Sequence, residues 1–214
     1  MVINTSNSRL DKIAWLHKQE EVAKFSKLQL QKFLFFYEMF QYLDGRDYDF
    51  SSLKAYKNGP VFSNFYGDIT YQEAEVVDYL DNVQHEIIID DSNAKVSKFL
   101  VETMTDSELS KLTHEFNMWK VHQDSIAANI QQIPMDEKDI TDEDIELLQL
   151  IKISEPSYDY KVLKLGEKRF VFSQEDFKRL SDSHLESLDS LSSSEDLINP
   201  VYIELDSEGR LLID

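Results

Sequence analysis

Ser26-Lys27-Leu28-Gln29-Leu30-Gln31-Lys32-Phe33-Leu34-Phe35-Phe36-Tyr37-Glu38-Met39-Phe40-Gln41-Tyr42-Leu43 begins with a hydroxyl and places a glutamine three residues on. That spacing is a capping box, in which the Ser26 hydroxyl and the Gln29 side chain each satisfy an orphan backbone N–H. Leu28, Leu30, Phe33, Leu34, Phe35, Phe36, Tyr37, Met39 and Phe40 then cover almost every face of a helix running to about Leu43. A helix apolar all round belongs in the middle of a fold. Lys27 and Lys32 are expected to snorkel from its edge.

Outward from this segment the pattern stays helical. Leu10 to Phe25 reads as an amphipathic helix with Ile13, Leu16 and Ala14 or Trp15 inward. Pro60 sits where a short helix through Val61, Phe62, Phe65 and Tyr66 can begin, because its missing N–H costs nothing at the first helical position. Further hydroxyl-led starts are Thr70 with Glu73, Thr105 with Glu108, a weak one at Ser110, Thr141 with Asp144, and Ser173 with Asp176. Leu109, Leu112, Phe116 and Trp119 suggest a helix continuing toward Ile130, and Ile145, Leu147, Leu148, Leu150 and Ile151 close an all-helical core.

Beyond Pro156 the period changes. Tyr160 to Phe172 looks like two strands around Gly166, and Val201 to Ile213 like two more, able to pair into one small sheet. Ser181 to Asp196 between them is serine-rich and reads as a frayed amphipathic helix or a linker. The expected fold is mainly α: a compact helical domain over residues 1–153 and a C-terminal α+β appendage of two hairpins over 154–214.

The 214 residues hold 22 Lys plus Arg and 41 Asp plus Glu, a formal charge of −19, with 42% hydrophobic residues and no cysteine. Such a chain fills a real core. It has no disulfide, no thiolate nucleophile and no Cys-ligated metal. A start without a basic segment and an apolar run, and the absence of any long apolar stretch, point to a cytoplasmic protein without a membrane span. Residues 1–60 carry nine basic and seven acidic side chains, +2; residues 61–214 carry 13 and 34, −21, with the steepest excess at 135–144. A field of that sign repels phosphate backbones and favours a basic partner protein.

Chemistry is scarce. The five glycines form no phosphate-binding loop, and no G-x-S-x-G elbow is present. His114-Glu115 begins like a zinc helix, but position 118 is Met, and His122 would lie about 80° round the helix. Runs such as Asp142-Glu143-Asp144 look solvated, without the burial that separates the pKa values of a catalytic pair. No catalytic residue, metal site or cofactor is expected.

Three segments in order carry a more specific signal: Lys27-Leu28-Gln29-Leu30-Gln31-Lys32-Phe33-Leu34-Phe35-Phe36-Tyr37; Ala55-Tyr56-Lys57-Asn58-Gly59-Pro60-Val61 with Tyr66; and Leu109 with Leu112-Thr113-His114 and Trp119. Over roughly residues 20–130 this order resembles the Panacea, or SocA-like, antitoxin domain. Phe35 and Phe36 stand where that family usually has Tyr, and Tyr56 where Trp is usual. The resemblance implies a non-enzymatic antitoxin of phage or mobile-element type that neutralises a cognate toxin by direct binding, in some relatives as a proteolytic adaptor. Tyr56, Lys57, Asn58, Gly59, Pro60, His114 and Trp119 are then the candidate partner-binding residues, and homo-oligomerisation stays open. The alternative from another class is an acidic mimic of DNA that inhibits a nucleic-acid enzyme, as phage anti-restriction and anti-CRISPR proteins do. A third is a hydrolase centred on His114 and Glu115.

Overall fold

A computed structural model describes residues 3–20, 22–154, 156–157 and 159–213. The chain divides into two compact units, Met1–Val101 with Asp106–Ser154, and Glu155–Asp214 with Glu102–Thr105. Its class is mainly α with an α+β C-terminal part.

In the first unit, helix α1 (Asn7–Gln19) buries Ile13, Ala14, Trp15 and Leu16, as its period requires. Helix α2 (Lys27–Leu43) starts at the Ser26–Gln29 capping box and buries every residue from Gln29 to Gln41. Its rings reach in several directions. Phe33 stacks on Trp15 at 6.2 Å, and Phe116 meets Phe35 edge-on at 5.6 Å and Phe36 at 6.2 Å. Around it lie α3 (Ser63–Tyr71), α4 (Glu73–Asp81), α5 (Asp91–Thr103), α6 (Asp106–His114), α7 (Asn117–Lys120), α8 (Gln123–Ala127) and α9 (Asp142–Lys152).

The core is not all-helical. Strands β1 (Leu53–Tyr56), β2 (Gly59–Phe62) and β3 (Ile133–Pro134) form an antiparallel sheet in the order β2-β1-β3. Pro60 therefore starts no helix; it pairs with Ala55 on an edge strand, where a missing N–H is tolerated. The helix expected through Ile130 breaks into α6, α7 and α8, because Asp144 accepts from Asn117 N (2.7 Å) and Met118 N (3.4 Å) and so starts a new helix there. Asp144 is 2% exposed, so the acidic run at 142–144 is not wholly solvated. Thr70 lies inside α3 rather than capping α4, and Ser110 lies inside α6.

The second unit holds β4 (Tyr160–Leu165), β5 (Lys168–Ser173), α10 (Gln174–Lys178), α11 (Asp182–Leu191), β6 (Val201–Leu205) and β7 (Leu211–Ile213). The two hairpins join through a parallel β5–β6 pairing, giving the order β4-β5-β6-β7. Parallel neighbours need a crossover, and α10 and α11 supply it. The serine-rich stretch is thus a helix, α11, opened by a Ser181–His184 capping box, with Leu188 in a core of Phe170, Phe172, Val201 and Ile203. Among the described residues no helix is long and apolar enough to cross a membrane.

Phe116 is fully buried and touches two rings of α2. Phe116→Ala is expected to lower the unfolding free energy by about 3–5 kcal/mol in urea denaturation.

Candidate functional site

Of the five polar side chains that helix α2 buries, Gln29, Gln31, Lys32, Glu38 and Gln41, the first three cross-link it to the segments around the β1–β2 turn and the end of α5. Gln29 Nε2 donates to Val101 O at 2.6 Å, Gln31 Oε1 accepts from Phe62 N at 2.8 Å, and Lys32 Nζ donates to Asn58 O at 2.8 Å and Pro60 O at 3.2 Å. Lys32 is 1% exposed, so it does not snorkel to the surface. It lies beneath the β1–β2 turn. Burial is the leading influence on its amine and lowers the pKa from the ordinary lysine value to about 7, with Asp106 pulling the other way.

The turn itself is Lys57-Asn58, with Tyr56 paired to Gly59. Lys57 and Asn58 thus close a hairpin. Gly59 takes φ +100°, a left-handed backbone, and a Cβ there would collide with Lys32 Nζ and Thr113 Oγ1. Glycine is required on both grounds.

From the other side, α6 and α7 bring the third segment. Thr113 Oγ1 donates back to Leu109 O and Ser110 O, both at 3.0 Å. Trp119 Nε1 donates to Tyr56 O at 3.0 Å, and the His114 ring stacks on Trp119 with centroids 3.7 Å apart and planes 14° from parallel. Desolvation, with the Lys32 charge second, holds the His114 pKa below the usual histidine range, while a hydrogen bond with the Lys57 backbone raises it. Burial therefore favours the neutral imidazole.

The seven candidate residues from 56–60, 114 and 119 form one constellation. They divide by exposure. Gly59, Pro60 and Trp119 are buried and shape the turn, whereas Lys57 and Asn58 are exposed and Tyr56 and His114 half-buried. Tyr66, 41% exposed, packs its ring 6.3 Å from that of Tyr56 and completes the outer surface. Lys32 and Thr113 are the members that sequence reasoning left without a role at the turn. The signal for Lys32 was an amine on a helix apolar all round, which needs acceptors inside the protein.

Chemically the constellation offers an exposed lysine and amide, two phenols and a half-buried imidazole. His114 lies in α6 and His122 immediately before α8, so they share no helix. Among the described residues no three His, Cys, Asp or Glu side chains are grouped to hold a metal.

The buried amine gives a pH signature. Between about pH 7 and the unfolded-state value of 10.5, the unfolded chain binds more protons at Lys32 than the folded chain does, so this side chain makes stability rise with pH. Relative to Lys32→Met, the native protein should gain stability from pH 7 to 9.5 in urea titrations, at no more than ~1.4 kcal/mol per pH unit; a flat difference would show that the amine stays charged. No family model matches the chain, and neither the curated proteins nor the solved structures hold a match to it.

Proposed function

We propose that this is a cytoplasmic, non-enzymatic antitoxin-like protein of Panacea type that neutralises a cognate toxin by direct binding around the Lys57-Asn58 turn. The observation that carries the reading is convergence. Three segments separated by roughly twenty to fifty residues in sequence meet at one turn, through the Lys32, Gly59, Thr113 and Trp119 contacts. Buried members of the group hold the turn, and the exposed ones present a contact surface. A rigid turn flanked by tyrosines suits recognition, because Tyr supplies large contact area at little conformational cost, and such residues dominate binding energy. The overall charge of −19 favours a basic partner and speeds its approach.

The test is to express the neighbouring gene alone and together with this chain. The expected result is growth arrest alone, rescue on co-expression and a complex in a pull-down. The double variant Lys57→Glu with Tyr66→Ala should lose rescue and weaken the complex by about 30-fold, corresponding to ~2 kcal/mol at a hot spot. Its melting temperature should stay unchanged, because both side chains are exposed. No rescue and no complex with the native chain would overturn the reading.

A further inference from the structure

The carbonyls of the β1–β2 turn are gripped from below. Tyr56 O accepts from Trp119 Nε1 at 3.0 Å, and Asn58 O and Pro60 O accept from Lys32 Nζ at 2.8 and 3.2 Å. The first of these holds depends on a neighbour, because the His114 ring lies on the Trp119 indole with centroids 3.7 Å apart. That imidazole is half-buried, yet its Nε2 is enclosed in protein and has no hydrogen-bond partner among the described residues. We propose that His114 is an acid-operated latch: when its ring takes up a proton, the imidazole turns out to water, Trp119 loses its stacking partner and the Lys57-Asn58 turn is loosened.

A neutral imidazole suits this place and an imidazolium does not. The neutral ring carries one N–H and one lone pair, whereas the charged ring carries two N–H groups and needs an acceptor for each. Nε2 finds none where it lies, and an unmade buried hydrogen bond is costlier still when the group is charged. The surrounding charges point the same way. From α2 the Lys32 ammonium repels an imidazolium, and this outweighs the attraction of Glu115 on α6, which is itself tied to Lys120 of α7 at 3.0 Å. The turn contributes the Lys57 backbone, which favours the charged ring less than burial and Lys32 oppose it. Asp106 at the start of α6 acts on Lys32, Lys111 is exposed, and the Tyr56 phenol on β1 is pushed up by burial and stays neutral. The His114 pKa is therefore lowered, so the stacked arrangement is fully favoured above the ordinary histidine range and loses stability as pH falls through it. Lys32 takes up its own proton near pH 7, which makes the repulsion complete by the time the imidazole is challenged.

The movement is short and its effect is local. His114 is the last residue of α6, so its ring can swing out while Thr113 stays anchored to Leu109 O and Ser110 O. Trp119 sits in α7, a single turn of helix, and is 5% exposed only while the imidazole lies on it. Its uncovering weakens the bond to Tyr56 O, whereas Lys32 keeps hold of Asn58 O and Pro60 O. The turn is thus released on its Tyr56 side, where the Tyr56 and Tyr66 rings meet at 6.3 Å, without unfolding the hairpin. The latch regulates a partner only if the turn is the partner surface, and in that respect it rests on the reading above; the opening itself needs no partner.

The experiment follows the full-length, isotope-labelled protein by NMR from about pH 8 to 5, the span in which histidine responds. The chain has two tryptophans, and Trp15, whose Nε1 donates to Asp91 Oδ1 at 3.2 Å, serves as the internal control. The expected result has three parts: a His114 midpoint below that of a capped histidine peptide, ring-to-ring contacts between His114 and Trp119 that vanish below the midpoint, and indole N–H exchange protection that falls about tenfold at Trp119 and not at Trp15. His114→Phe keeps a flat ring over the indole and takes up no proton, so its Trp119 protection should not vary with pH. Should that variant fail to fold, the ring contacts of the native protein decide the matter alone. Contacts that survive the titration, a midpoint at or above that of the peptide, a ring still neutral at the acid limit, or the same pH dependence in His114→Phe would overturn the assignment. Toxin rescue plays no part in this readout, so the latch and the partner reading fail separately.

Discussion

Helix α2 is enclosed on all sides, and an enclosed helix cannot leave a polar side chain to water. Everything else in the first unit answers to that constraint. Three of the buried polar groups of α2 become fixed points for other elements: Gln29 for the end of α5, Gln31 for β2, Lys32 for the turn before it. Each bond is modest in net value, but an orphaned partner in the same place would cost more than the bond contributes. The helix therefore specifies where the hairpin sits as well as filling the core. The hairpin in turn specifies where Trp119 goes, through the carbonyl of Tyr56.

The same logic governs a second set of charges facing α1. Lys12 pairs with Glu38, and Glu38 also accepts from Asp49 N at 2.9 Å. Arg9, fully buried, reaches Asp49 at 2.8 Å, donates to Ser51 O at 3.1 Å and lies 4.1 Å over the Phe62 ring. Burial pushes the Glu38 carboxyl up, and the Lys12 ammonium pulls it back. Removing one member would strand the others in a dry interior, which is far costlier than the set is stabilising. Its value lies in direction: it leaves one way to dock the 49–51 loop against α1 and α2.

The sequence was legible where a residue's own chemistry decides the outcome. The capping boxes at Ser26 and Thr141 form as their spacing requires, and the apolar period of α1 points inward. It was illegible where a distant residue decides. Gly59-Pro60 looks like the start of a helix until Lys32 and Gln31 draw the segment into β2 as an edge strand. The stretch from Leu109 to Ile130 looks like one helix until Asp144, twenty-five residues from Trp119, caps a new one at Asn117. Thr70 matches the capping pattern, yet its segment continues α3, whose Asp68 is held by Asn4 and Thr5. At the candidate site the motif order pointed to Tyr56–Pro60, His114 and Trp119, whereas Lys32 and Thr113 meet Gly59 only once the turn is placed.

The charge distribution changes meaning in the same way. By sequence, residues 1–60 are slightly basic and the rest strongly acidic, an electrically two-sided chain. Folding removes Arg9, Lys12 and Lys32 from the surface, three of the nine cations that made the first sixty residues positive. Lys32, its pKa lowered by burial to about 7, carries only part of a full charge near neutral pH. On the acidic side, Asp68 and Asp144 are also withdrawn, spent on the N-terminal arm and on the start of α7. What remains outside is acid of two kinds: carboxylates already paired, such as Asp11 with His85, and carboxylates such as Glu75 and Asp78 that line a cleft without a cationic partner among the described residues. A diffuse field needs only the total, whereas a specific cation needs unpaired carboxylates on a fixed surface. The second kind lies in the stretch, residues 58–94, from which Lys and Arg are missing altogether.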